Sequence, residues 1–111
     1  MPQASGPIGM FDSGVGGLAV LTEVRRLLPG EDVIYYADTA YFPYGPRPHD
    51  QVVQRADATT RELMARGAKL VVVACNTATS AAIAHLRETF DVPFVGMEPA
   101  LKPAAERTHT G

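Results

Sequence analysis

The chain has 111 residues, 46% of them hydrophobic and 20% charged, which allows one domain with a real core and argues against wholesale disorder. With 10 basic and 12 acidic residues the net charge is −2, so there is no electrostatic footprint for nucleic acid or an anionic membrane. A single cysteine excludes an internal disulfide, no apolar run approaches the roughly 18 to 20 residues that cross a bilayer, and Met1 to Pro7 has neither the basic start nor the apolar stretch of a secretory signal, so the expected compartment is the cytoplasm.

Residues 1–7 carry Gln, Ser, Gly and two prolines and read as a loose leader. Ile8 to Phe11 predicts a short strand, broken by Asp12-Ser13-Gly14-Val15-Gly16-Gly17, where the glycines permit a sharp turn into a helix. Leu18, Leu21, Val24 and Leu28 mark that helix's expected apolar face, and Pro29-Gly30 ends it. Val33 to Ala37, β-branched and aromatic, predicts a second strand that ends at Asp38.

The next segment, Thr39 to Pro48, sets Tyr41, Phe42 and Tyr44 among Pro43, Gly45, Pro46 and Pro48, a stiffened loop that is neither helix nor central strand. Asp50 is the expected cap of a second helix with Val53, Ala56, Thr60 and Leu63 on one face, running up to Gly67. Leu70-Val71-Val72-Val73-Ala74 reads as a strand buried on both faces, and Cys75 sits where it stops. Asn76 or Thr77 is expected to cap a third helix that buries Ala78, Ala82, Leu86 and Phe90. Pro93 to Met97 predicts a fourth strand before Glu98-Pro99, and Ala100 to Arg107 a last helix.

Strands and helices alternate without a linker or repeat, which predicts an α/β fold: a doubly wound parallel sheet with flanking helices and about four βα units. The expected organisation is a leader at 1–7, a single lobe at 8–97, and a crossover beginning at 98–111 that such a fold feeds into further structure, so the sequence reads as a fragment.

In an open parallel sheet, ligands bind outside the carboxyl ends of the strands. Asp12-Ser13, Asp38 with Tyr44-Gly45, and Cys75-Asn76-Thr77 all leave that one rim. Most lone cysteines are small buried hydrophobes, but Cys75 lies at a strand exit beside a helix N-terminus, a setting that favours the thiolate. Gly14-x-Gly16-x-x-Ala19 fits a dinucleotide fingerprint with Asp38 as the ribose acid, yet Asp12 opens the loop with a negative charge where a pyrophosphate needs positive partners. Asp12 and Ser13 suit an ammonium, and the stiff Tyr44-Gly45 backbone suits a carboxylate.

His49, His85 and His109 lack ligand spacing for a metal, and neither Lys69 nor Lys102 is placed for a Schiff base with pyridoxal phosphate, so neither metal nor cofactor is expected. What remains is proton chemistry at carbon by a thiolate, on a substrate that carries an ammonium and a carboxylate, an amino acid. Two other readings stay open at this point: an NAD-binding domain of a cysteine-dependent dehydrogenase built on Gly14, Gly16 and Asp38, and a non-catalytic module that binds an acidic amino acid.

Asp12-Ser13-Gly14-Val15-Gly16-Gly17, Ala37-Asp38-Thr39-Ala40 with Pro43-Tyr44-Gly45, and Ala74-Cys75-Asn76-Thr77-Ala78 together resemble the glutamate racemases of the aspartate/glutamate racemase superfamily. The resemblance spans nearly the whole chain. It implies cofactor-independent interconversion of L- and D-glutamate, supplying D-glutamate for peptidoglycan, with Cys75 as one of two cysteine bases. It implies that Asp12, Ser13, Tyr44, Gly45, Asn76 and Thr77 bind substrate. Members of the family form two pseudo-symmetric lobes with the substrate between them, and the second lobe brings a Cys-Thr-His motif that this sequence lacks. The chain therefore resembles the N-terminal half only and is expected to be inactive alone; a homodimer is the expected assembly of the full-length protein.

Overall fold

A computed structural model describes residues 5–12, 17–38 and 47–97. Its elements are β1 (Ile8–Asp12), α1 (Gly17–Leu27), β2 (Val33–Ala37), α2 (His49–Ala65), β3 (Leu70–Val73), α3 (Asn76–Thr89) and β4 (Phe94–Gly96). The four strands form one parallel sheet in the order β2-β1-β3-β4. The expected doubly wound architecture is therefore present: the chain steps to one side from β1 to β2, then crosses back to β3 and β4. The winding reverses between β1 and β3, and at such a switch point the strand exits diverge and leave a crevice.

Alternation along the strands sorts the side chains into two apolar layers. Phe11, Val71, Val73 and Phe94 face α2 and α3, where Val52, Ala56, Leu63, Ala82 and Leu86 close over them. Ile8, Met10, Val72 and Ala74 face the other way, packed by Val20, Leu21 and Val24 of α1 and by Tyr35. All five residues of β1 are buried, as a strand covered on both faces requires. Truncating a fully buried side chain such as Leu63 in this arrangement costs about 2–5 kcal/mol.

The helices correct several expectations. In α1 the face toward the sheet is Val20, Leu21 and Val24, whereas Leu18 and Leu28, expected on it, are 66% and 46% exposed. The helix starts at Gly17, pressed against Asp12, which sets positions three to four and seven residues later toward the sheet and turns Leu18 about 100° away. α2 is capped by Pro48, not Asp50. Pro48 takes an extended ψ of 146° with no side-chain cap bond, and Asp50 lies in the first turn, where its carboxylate accepts the Gln51 N–H at 3.0 Å. The C-terminal end matches the expectation: Gly67 adopts φ +86°, the left-handed conformation glycine takes at no steric cost, and its N–H donates to Met64 O.

The third helix buries Ala78, Ala82 and Leu86 as expected, with Thr79 in addition, while Phe90 is its half-buried C-cap residue. Between α2 and α3, Asp57 accepts from Arg61 at 2.6 Å and meets His85 Nε2 at 2.8 Å. Burial pushes the Asp57 carboxyl up, but the bonds to His85 and Arg61 outweigh it and hold the group below its usual range. At the opposite edge of the sheet from the strand exits, Lys69 pairs with Glu31 at 2.7 Å. The expected helix at 100–107 lies outside the described residues.

Candidate active site

The rim is built by the ends of three neighbouring strands. β1 ends in Asp12, whose backbone is clamped on the β2 side, where Asp38 N–H donates to Asp12 O at 2.9 Å; on the β3 side, Ala74 N–H donates to Phe11 O at 2.9 Å. β3 ends at Val73 and delivers Cys75 two residues later at the start of α3. Asp12 and Cys75 thus stand at adjacent strand exits on either side of the switch point.

Cys75 itself is the N-cap of α3, in the place expected for Asn76 or Thr77. Its backbone is extended, φ −148° and ψ 125°, its sulfur accepts the N–H of Ala78 at 3.5 Å, and its carbonyl accepts the N–H of Thr79 at 2.9 Å. The extended chain runs straight into the helix with no intervening turn, so the last non-helical residue is the cysteine, and Asn76 and Thr77 already lie within the first turn. The thiol is half-buried. Asn76 and Thr77 are exposed and face a cleft of about 440 Å³ that Arg47, His49 and Val52, at the start of α2, and Ser80 also line. Two helix N-termini and a guanidinium at one cleft favour an anionic group there.

Asp12 is fully buried, and Tyr35 Oη donates to its Oδ2 at 2.7 Å. A Cβ built on Gly17 would fall onto that same carboxylate, so the first residue of α1 lies against it without a side chain. Burial first, then the hydrogen bond and charge of Asp12, push the Tyr35 hydroxyl up to about 12. Asp38 is also buried, and Arg55 holds it with a two-point contact, Nε to Oδ2 at 3.1 Å and Nη2 to Oδ1 at 3.0 Å. Both features weigh against a dinucleotide. The carboxylate expected to receive a ribose is engaged by an arginine, and the N-terminus of α1, where a pyrophosphate would sit, is occupied by the Asp12 carboxylate.

Of the residues singled out in the sequence, Asp12, Cys75, Asn76 and Thr77 come together at this rim; Ser13, Tyr44 and Gly45 lie outside the described residues. Sequence reasoning missed Tyr35, Arg47 and Thr79. The Thr79 hydroxyl donates to Val73 O at 3.3 Å and accepts Met97 N–H at 2.9 Å, joining the exits of β3 and β4 to α3 one turn after Cys75. A threonine at the fourth position after Cys75, on a helix face whose other buried residues are Ala78, Ala82 and Leu86, was the available signal. Among the described residues, no group of three His, Cys, Asp or Glu side chains comes together that could hold a metal ion, and no helix is long and apolar enough to cross a membrane.

The profile of the Asp/Glu/Hydantoin racemase family matches residues 8–110. A glutamate racemase of Herpetosiphon aurantiacus is 59% identical over 105 residues, covering 95% of this chain and 41% of its own length. One from Roseiflexus sp. (strain RS-1) is 60% identical over 110 residues, covering 98% of this chain and 40% of its own. Among solved structures, Escherichia coli glutamate racemase in complex with L-glutamate and the activator UDP-MurNAc-ala superposes with a TM-score of 0.83 at 47% identity, over 91% of this chain and 39% of that one. The Thermus thermophilus enzyme in complex with β-chloro-D-alanine gives a TM-score of 0.80 at 51% identity, over 83% and 36%. The chain spans about 40% of the length of the curated relatives it matches.

Proposed function

The chain belongs to the Asp/Glu/Hydantoin racemase family, and from that membership we propose that it is the N-terminal lobe of a glutamate racemase in which Cys75 is one of two thiol bases. The observation that carries this reading is the placement of Cys75 and Asp12 at adjacent strand exits, with Cys75 capping the helix whose first residues, Asn76 and Thr77, line the cleft.

The chemistry follows from balance. The Cys75 thiolate takes the α-proton of one glutamate enantiomer and becomes a thiol, and the electron pair left on the α-carbon spreads into the α-carboxylate. A second thiol, on a second lobe across the substrate, delivers its proton to the opposite face, and the reverse reaction exchanges the two roles. No electrons leave the pair of molecules, so the reaction calls for no redox cofactor. Asp12 and Ser13 receive the substrate ammonium, Asn76 and Thr77 one carboxylate at the start of α3, and Tyr44-Gly45 the other. With one cysteine in 111 residues, this lobe supplies one base only and is inactive alone.

The D-glutamate formed serves peptidoglycan synthesis in the cytoplasm. The full-length protein is a homodimer that acts on a small molecule and not on nucleic acid, for which the 111 residues, with a net charge of −2, carry no basic footprint.

The loss of optical rotation of L-glutamate tests both halves of the reading. The full-length protein is expected to bring the signal to zero, whereas the 111-residue chain leaves it unchanged. A silent full-length protein contradicts the racemase assignment, and turnover by the short chain contradicts the need for a second lobe.

A further inference from the structure

Tyr35 sits on β2 among apolar neighbours, where a tyrosine ordinarily fills space, yet its hydroxyl is committed to one partner. The register sets Tyr35 opposite Met10 and Ala37 opposite Asp12, so Tyr35 is the diagonal neighbour of Asp12 on the same face of the sheet. Its ring packs on the layer of Ile8, Met10 and Val72, and its hydroxyl reaches Asp12 Oδ2 at 2.7 Å. A Cβ at Gly17 would lie on that oxygen and 2.7 Å from the tyrosine hydroxyl. Strand β2, strand β1 and the start of α1 therefore meet at a single carboxylate oxygen.

The rotation of a carboxylate about its Cβ–Cγ bond is soft, and without a fixed donor its plane is spread over a broad range. A donor held rigidly at one oxygen sets that plane, and with it the direction in which the group presents its charge. We infer that Tyr35 is a positioning residue, which fixes the Asp12 carboxylate in the orientation that receives the substrate ammonium. The inference rests on the substrate assignment given under the proposed function. Tyr35 does not itself touch the substrate; it acts through Asp12. Because the hydroxyl ionises only near pH 12, it remains a donor throughout the neutral range.

The test compares two ligands that differ only in the group concerned. D-Glutamate carries the ammonium; glutarate carries the same two carboxylates without it. Calorimetric titration of the full-length protein and of its Tyr35→Phe variant is expected to show glutamate binding weakened roughly tenfold by the loss of a hydrogen bond to a charged group, with glutarate binding unchanged within about twofold. The phenylalanine ring keeps the apolar packing, and glutarate reports whether the site as a whole survives. Equal loss for both ligands, or loss for neither, contradicts the role of Tyr35 alone. Failure of the unsubstituted protein to bind either ligand contradicts the substrate assignment, and this role with it.

Discussion

Cys75 caps α3 with a sulfur, a weaker acceptor than the hydroxyl of Ser or Thr that usually fills this position. Stability alone would favour serine here, so capping does not account for the thiol, in keeping with the base role proposed for Cys75. Asp12 is the second residue whose environment is specific. It is held between the Tyr35 hydroxyl and the backbone of Gly17, and Gly17→Ala would drive a methyl group into a buried, already bonded carboxylate. We expect that substitution to destabilise the chain by about 1–3 kcal/mol in urea denaturation, more than alanine returns through helix propensity at a first-turn position. A stability equal to or above that of the parent chain would show that the carboxylate can move aside. Asp12 and Cys75 were legible in the sequence because each interrupts an apolar strand at its end. Tyr35 was not, because a tyrosine in a β-branched strand reads as packing, and its partner depends on the register between β1 and β2.

Among the described elements, α1, α2 and α3 were placed correctly, but the rotation of α1 was not. The expected face of α1 included Leu18 and Leu28, which lie outside the packed layer, because apolar spacing alone does not say which of two overlapping stripes meets the sheet. The contact at Gly17 decides it. In α2 the apolar stripe was read through Thr60, and both Thr59 and Thr60 are buried with hydroxyls that have no hydrogen-bond partner among the described residues. An unpaired buried hydroxyl costs about 1–3 kcal/mol, and valine has nearly the same shape. Thr60→Val is therefore expected to raise the midpoint of urea denaturation, by a stability gain of about 1 kcal/mol. A loss of similar size would mean that the hydroxyl is satisfied in solution.

For the whole molecule, alternation of strand and helix was enough to predict a doubly wound parallel sheet, since each helical crossover between parallel strands has little topological freedom. The strand order was not legible, and with it the position of the switch point between β1 and β3, because pairing partners are chosen by packing of the layers rather than by any one residue. That order is what brings Asp12 and Cys75 side by side. The chain spans about 40% of the length of the curated relatives it matches, and the second thiol base proposed above is placed in the part it does not span.

The central claim, that Cys75 is a proton-transferring base, is tested most directly by following the optical rotation of glutamate with the full-length Cys75→Ser protein. Serine preserves the cap, so the variant should fold and bind D-glutamate with an affinity within a few-fold of the parent. Its racemisation rate is expected to fall by about 10³-fold or more, since a serine hydroxyl without a partner base is far less readily deprotonated than a thiol. A rate within tenfold of the unsubstituted protein would remove Cys75 from the mechanism.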